Sequence, residues 1–208
     1  MKLYYSPGAC SLAVHIALRE AGLDFEAVKV NLPTHTLENG DDYYAISPRG
    51  YLPLLEFDDG SRHTEGAALL QYVADRDPRH ALIPAAGTPE RLAVLEWLTH
   101  IGTEMHKAFS PWLWHADTAE STKAGCRTRL AARFAELDKL LATRDYLTGT
   151  FTVADAYAFT IVNWAPMLKM GLSDYPHLLA YQARVAARPK VREALIAEGL
   201  AKAHQASA

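Results

Sequence analysis

The chain begins Met1-Lys2-Leu3-Tyr4-Tyr5-Ser6-Pro7-Gly8-Ala9-Cys10-Ser11-Leu12, and the reading of this stretch decides the fold. Lys2 to Tyr5 is a short apolar and aromatic run suited to a strand, and Ser6-Pro7-Gly8 closes it as a turn. From Ser11 to Ala21 the apolar residues Leu12, Ile16 and Ala17 recur at helical spacing, and Gly22 supplies a stop. Phe25 to Val30 alternates as a second strand. Strand, helix and strand in about thirty residues make a βαβ unit, whose two strands should run parallel. Pro7 and Gly8 interrupt the first apolar run after four residues, well short of the ~7–15 of a signal peptide. Neither a secretory leader nor a lipid anchor at Cys10 fits, and a mature cytoplasmic start is expected.

Leu32 to Pro48 is polar, with few periodic residues, and reads as loop with one short helix. Leu52 to Phe57 reads as a strand, Asp58-Asp59-Gly60 as a hairpin turn and Ser61 to His63 as the returning strand. Thr64-Glu65-Gly66 opens a helix whose residues Leu69, Leu70, Val73 and Ala74 share one side. Asp77 to Pro89, with three prolines and one glycine, is a linker. Beyond it the periodicity predicts helices over 90–114, 119–141, 153–170, 176–188 and 190–199. Thr152 and Asp155 have capping-box spacing, and Pro166 should kink the helix that contains it. The expected organisation is an α/β domain over 1–78, a linker over 79–88 and an all-helical domain over 89–208.

The 208 residues carry a formal net charge of −3, and Lys and Arg are scattered. That argues against a nucleic-acid partner, which wants clustered positive charge. No apolar run approaches the ~20 residues that cross a bilayer. Two cysteines, Cys10 and Cys126, exclude a disulfide-stapled scaffold. No metal site is expected, because the nine histidines include no H-E-x-x-H and the cysteines lack zinc spacing. No G-x-G-x-x-G or phosphate-binding loop occurs.

Cys10 follows the first strand and stands at the N-terminal end of the first helix, where unpaired N–H groups and the helix dipole favour an anion. A buried small hydrophobe and a reactive thiol both fit that position. Ala13 three residues on excludes a C-x-x-C dithiol, so a reactive Cys10 must work with an external thiol. Pro53, opening a strand, is either an edge proline or a cis proline that turns the Leu52 N–H and C=O outward for a peptide-like ligand. Glu65-Gly66 is either a plain helix start or a cradle for an α-amino-acid head, with Gly66 N–H on the carboxylate and Glu65 on the ammonium.

Several longer motifs stand in order along the whole chain. They are Y-S-P-G-A-C-S-L, E-N-G-D-D-Y, S-P-R-G, T-E-G-A-A-L-L-Q-Y-V-A-D, E-W-L with T-E-M-H-K, and F-T-V-A-D-A-Y. In these the chain resembles a glutathione transferase of the bacterial beta class. The resemblance implies a thioredoxin-like N-terminal domain, with a mixed four-stranded sheet and helices, and an all-α C-terminal domain. It implies that Cys10 faces the glutathione sulfur and forms a mixed disulfide with it, and that His106 is a second catalytic contact. Leu52 after the Gly50-Tyr51 turn, with Pro53, would pair with the tripeptide backbone, and Glu65 and Gly66 would hold its γ-glutamyl head. Thr99, Thr103, Glu104, His106 and Lys107 would complete the site, some reaching the partner subunit's ligand. Three positions depart from the family pattern: His35 stands where a lysine usually holds the glycine carboxylate, Thr99 replaces an asparagine, and Tyr51 replaces a glutamine.

Thr99, Thr103, His106 and Ser110 are spaced to form one polar stripe on a helix, with Val94, Leu98, Ile101 and Met105 forming a separate apolar stripe. Cys126 reads as structural, Tyr4 and Tyr5 as core and cleft wall, Trp97 and Trp164 as core anchors, and Trp112 and Trp114 as walls of an electrophile pocket. The expectation is a cytoplasmic, homodimeric enzyme that binds no permanent cofactor and uses glutathione as co-substrate. A small hydrophobic electrophile would bind between the domains, with Cys10 giving thiol-transferase or peroxidase side reactions. A glutathione-dependent dehalogenase or isomerase, and a non-catalytic binder on the same fold, are the competing readings.

Overall fold

A computed structural model of the chain describes residues 1–202. In chain order the elements are β1 (Lys2–Tyr5), α1 (Ser11–Ala21), β2 (Glu26–Asn31), β3 (Thr36–Leu37), a 3-10 turn (Tyr43–Ala45), β4 (Leu54–Glu56), β5 (Arg62–His63) and α2 (Gly66–Asp75). There follow α3 (Pro89–His100), a π-helical turn (Ile101–His106), α4 (Lys107–Phe109), α5 (Glu120–Leu141), α6 (Val153–Val162), α7 (Trp164–Met167), α8 (Pro176–Ala186) and α9 (Pro189–Ala197). They form two units, one of Met1–His80 with the segment from Ala187 onward, the other of Ala81–Ala186. The helical domain expected over 89–208 therefore ends at Ala186, and α9 belongs with the α/β unit.

In the α/β unit the strand order is β3-β2-β1-β4-β5. β1 runs parallel to β2 and antiparallel to β4, as a βαβ unit followed by a hairpin requires. Leu3, Tyr4 and Tyr5 are buried at the centre of this sheet, which is why they read as a continuous apolar run. The sheet has five strands where four were expected. The extra one, β3, pairs only Thr36 with Asn31 and Leu37 with Val30, too short a ladder to leave a periodic signal.

α1 packs against both α2 and α9 and buries every residue except Arg19, so it is apolar all round rather than on one stripe. Its polar members meet α9 and its flanks. Arg188 holds the Glu20 carboxylate with two bonds of 2.7 and 2.9 Å. His15 Nδ1 lies 2.8 Å from Glu198 Oε1, and both side chains are fully buried. These contacts bring α9 to the α/β unit.

In the helical unit, Thr88 caps α3 by accepting the Arg91 N–H, with Pro89 at the first helical position. The helix expected over 90–114 stops at Phe109, because Pro111 disfavours the helical region for Ser110. The Ser110–Pro111 peptide is cis. The helix expected over 153–170 is divided at Asn163, since the ring of Pro166 opposes the carbonyl of Val162. α6 is buried along its whole length, and Thr152 and Asp155 form the anticipated capping box at its start.

Candidate functional site

In the α/β unit, Cys10 occupies the N-cap of α1 and its thiol donates to the Leu52 carbonyl at 3.3 Å. Sequence reasoning left that carbonyl open to a ligand; here the thiol takes it. The turn that delivers Cys10 is tied at both ends. Ser11 Oγ accepts the Ser6 N–H at 3.2 Å and donates to the Ser6 carbonyl at 3.3 Å. The Gly8 N–H donates to Glu198 Oε2 at 2.8 Å, from a left-handed φ of 71° that favours glycine.

The Leu52–Pro53 peptide is cis. Its approach is fixed by the Tyr51 carbonyl, which accepts the Tyr43 hydroxyl at 3.0 Å and the Ser47 hydroxyl at 3.3 Å. Burial pushes the Tyr43 phenol up to about 12, so it stays a donor. Gly50 is required twice over, by a φ of 67° and because a Cβ there would stand 2.7 Å from the His35 ring. His35 itself stacks on Tyr44 with ring centroids 4.5 Å apart.

Gly66 opens α2 beside Pro53, where an added Cβ would sit 3.9 Å from the proline ring. Glu65 precedes it, exposed, with φ 71° and ψ 101°, and its carboxylate makes no capping bond. A non-glycine residue in that region costs about 1–3 kcal/mol. Cys10, Leu52, Pro53, Glu65 and Gly66 thus gather where the first helix, the cis-proline segment and the start of α2 meet, with His35 against the preceding Gly50.

The helical unit carries the other cluster. Thr99 and Thr103 are exposed, and their hydroxyls donate back to the carbonyls of Leu95 and Thr99 at 2.8 and 2.9 Å. His106 does not continue their stripe. The π-turn advances its residues by a smaller angle than an α-helix, and His106 lies half-buried in a cage of rings instead. Its centroid is 5.1 Å from that of Trp164 and 5.9 Å from that of Tyr157, both edge-on. Its Nδ1 lies 2.7 Å from the Tyr157 hydroxyl. Burial, and then the charge of Lys107, pull the His106 pKa down to about 4, so the ring is neutral at pH 7. Glu104 is half-buried and Lys107 exposed, while Ser110 falls beyond the helix end. Val94, Leu98, Ile101 and Met105 are all buried, as their spacing predicts. Trp164 is buried as anticipated; Trp97 is only half-buried, and Trp112 and Trp114 are exposed. Cys126 is half-buried in α5, and neither cysteine forms a disulfide. Among the described residues no group of three His, Cys, Asp or Glu is placed to hold a metal ion, and no helix is long and apolar enough to cross a membrane.

Residues 8–76 match the family model for the glutathione S-transferase N-terminal domain, and residues 100–189 that for the C-terminal domain. The chain belongs to the glutathione S-transferase family. It is 46% identical to the glutathione S-transferase GstA of Escherichia coli O157:H7, over 96% of this chain and 100% of that protein. Among solved structures it resembles the bacterial glutathione transferase BphK in a ternary complex, with a TM-score of 0.92 and 46% identity over 96% of this chain and 100% of that one. A sphingomonad glutathione S-transferase complexed with glutathione matches with a TM-score of 0.90 and 46% identity, covering 97% of this chain and 100% of that one. The beta-class enzyme of Sphingomonas chungbukensis matches with a TM-score of 0.91 and 44% identity over 97% and 100% of the two chains. The beta-class resemblance carried by the motifs is borne out, and the protein is an enzyme, a glutathione transferase.

Several residues that shape the two clusters of this glutathione transferase escaped sequence reasoning. Tyr43 and Ser47 lie inside motifs quoted above, but nothing in their spacing says that they bind the Tyr51 carbonyl. Tyr157 closes F-T-V-A-D-A-Y, on the helix opened by the capping box, and reaches His106 across a separation of 51 residues. Glu198 carries no signal beyond the helix expected over 190–199, although it is buried.

Proposed function

We propose that this enzyme binds glutathione along the cis-proline edge of its α/β unit and joins the deprotonated glutathione sulfur to an electrophilic carbon of a small hydrophobic compound, which expels its leaving group. The observation that carries the reading is the meeting of the Cys10 thiol with the Leu52 carbonyl, 3.3 Å apart, beside cis-Pro53. A thiol at a helix N-terminus is thereby set against a main-chain segment of the kind that pairs with a peptide. The sphingomonad relative with bound glutathione supports the choice of ligand. In this assignment Leu52 holds the tripeptide backbone, Glu65 the γ-glutamyl ammonium and Gly66 its carboxylate. His35 takes the glycine end less firmly than a lysine would. Thr99, Thr103, Glu104 and Lys107 border the site and His106 contacts the sulfur. We further assign the enzyme to the cytoplasm, in keeping with its cysteines being thiols, and to a homodimer of the two-fold kind that is the default for soluble oligomers.

The strained, uncapped Glu65 gives the direct test of binding. Glu65→Gln removes a charge-assisted contact worth roughly 1.5–3 kcal/mol, so calorimetry should show glutathione bound ten- to a hundredfold more weakly. Unchanged affinity in a folded variant would take Glu65 out of the site.

Cys10 gives the test of side chemistry. Its thiolate should attack one sulfur of oxidised glutathione, forming a protein–glutathione disulfide and releasing one glutathione thiolate. Mass spectrometry should find a single tripeptide adduct on Cys10, absent in Cys10→Ala, while conjugation is only partly reduced because bound glutathione brings its own sulfur. An adduct on Cys126 alone, or none at all, would sink the role given to Cys10.

A further inference from the structure

We infer that Tyr157 is a positioning residue that holds the neutral His106 ring in its Nε2–H form, so that His106 offers a hydrogen-bond donor to the substrate sulfur rather than a base that removes its proton. The inference deepens the function proposed above and rests on the assignment of His106 to the sulfur. The Tyr157 hydroxyl and His106 Nδ1 are 2.7 Å apart, a short bond for this pair. A neutral imidazole has one donor nitrogen and one acceptor nitrogen, and a phenol can play either part. A phenolic hydrogen is far more acidic than that of a neutral imidazole, and the bare imidazole nitrogen is far more basic than a phenol oxygen. The stable arrangement is therefore Tyr157 O–H donating to Nδ1, which leaves the proton on Nε2.

The surroundings fix this geometry. The two rings meet edge to face at an interplanar angle of 90°, and Trp164 also meets the imidazole edge-on, at 72°. Tyr157 projects from α6, buried along its length, and is itself 4% exposed. Gly102, inside the π-turn, lies beside it: a Cβ there would stand in ordinary contact, 3.7 Å from the hydroxyl. The low pKa of His106 keeps the ring neutral near pH 7, so that one nitrogen carries the proton and the other is open to the Tyr157 hydroxyl. An Nε2–H donor stabilises an anionic sulfur by a directed hydrogen bond, whereas the Nδ1–H form would present a lone pair and repel it.

Nitrogen-15 NMR of histidine-labelled enzyme tests this directly. The chain has nine histidines, so the His106 signals are identified as those missing from His106→Gln. The wild type should show an unprotonated Nδ1 and a protonated Nε2 at pH 7, without added substrate. Tyr157→Phe keeps the ring but loses the donor, and should convert the signal to a mixture of tautomers. With glutathione and a chlorinated dinitrobenzene, Tyr157→Phe should lower kcat by roughly two- to tenfold, the worth of one hydrogen bond, with little change in KM for glutathione. An Nδ1–H wild type, or a tautomer unmoved by Tyr157→Phe, overturns the inference. A second variant, 3-fluorotyrosine at 157, has a more acidic hydroxyl and should shift the Nδ1 resonance further toward the hydrogen-bonded value; no shift counts against it. Should the tautomer change as expected while kcat stays constant, the placement of His106 at the sulfur fails, separately from the tautomer.

Discussion

Asp155→Ala is expected to lower the thermal unfolding midpoint by roughly 10 °C or more, from a loss of about 3–6 kcal/mol. Four donors converge on this one buried carboxylate. The Leu147 N–H reaches Oδ1 at 2.9 Å and the Tyr181 hydroxyl reaches it at 3.1 Å. The Thr152 N–H and hydroxyl reach Oδ2 at 2.8 and 3.2 Å. The group thus does more than close the capping box of α6, which alone would be worth about 0.5–2 kcal/mol. It also fastens the chain before the helix and, through Tyr181, α8. Asp155→Asn should rescue little, because its amide nitrogen would face a pair of donors where an acceptor is needed. Burial pushes the Asp155 carboxyl up to about 6, so the folded state binds its proton more tightly than the unfolded state does. This contribution is fully present below the ordinary carboxylate pKa and is lost as the pH rises through about 6. The gap between wild type and Asp155→Ala should therefore narrow between about pH 4 and pH 6. Circular dichroism melts across that range decide it; a midpoint within about 2 °C of wild type would remove Asp155 from the foundation of the helical unit.

The capping box is a case where sequence and structure agree because the signal is local: Thr152 and Asp155 are three residues apart and their bonds follow from that spacing. The same holds for Lys2–Tyr5, the Ser6-Pro7-Gly8 turn and the buried side of α2, where Leu69, Leu70, Val73 and Ala74 all face inward. Sequence reasoning stops where the partner is distant or the backbone departs from a regular period. The spacing of Thr99, Thr103 and His106 fits an α-helix, and nothing in it announces the π-turn that sends His106 among Tyr157 and Trp164. α9 shows an amphipathic pattern, which states that one face is buried but not against what; its buried Val191 and Ala194 turned out to belong with the α/β unit. Pro111 did carry a legible stop, which the apolar run through Trp114 obscured. Within the candidate site, Cys10, Pro53, Glu65 and Gly66 were legible because each sits at an element boundary, where a residue's backbone role narrows its chemistry. The residues that steady them, Tyr43, Ser47 and Glu198, act through tertiary bonds that leave no local trace.

Glu198 shows how much such an unannounced residue controls. Its side chain is fully buried and accepts His15 Nδ1–H through Oε1 and the Gly8 N–H through Oε2, each at 2.8 Å. The tautomer of His15 is settled by the next link, since Arg19 Nε donates to His15 Nε2 at 2.9 Å and leaves the proton on Nδ1. A chain of donors therefore runs from α1 into one carboxylate just past α9, and that carboxylate also grips the loop two residues before Cys10. Glu198→Ala should cost about 3–6 kcal/mol, from two hydrogen bonds to a charged group at about 1.5–3 kcal/mol each, and should also weaken glutathione binding and slow adduct formation at Cys10. Glu198→Gln keeps an oxygen for His15 but turns an amide N–H toward that of Gly8, so its loss should be intermediate. Because the group is out of reach of solvent, the loss should persist in high salt, unlike any effect of breaking the exposed Lys190–Glu193 pair. Urea titrations at low and high salt, alongside calorimetry with glutathione, separate these outcomes. If Glu198→Ala unfolds at the wild-type midpoint and binds glutathione as before, α9 does not hold the Cys10 loop; if its defect disappears with salt, the pair is solvated and the buried bonds described here are not what fixes that loop.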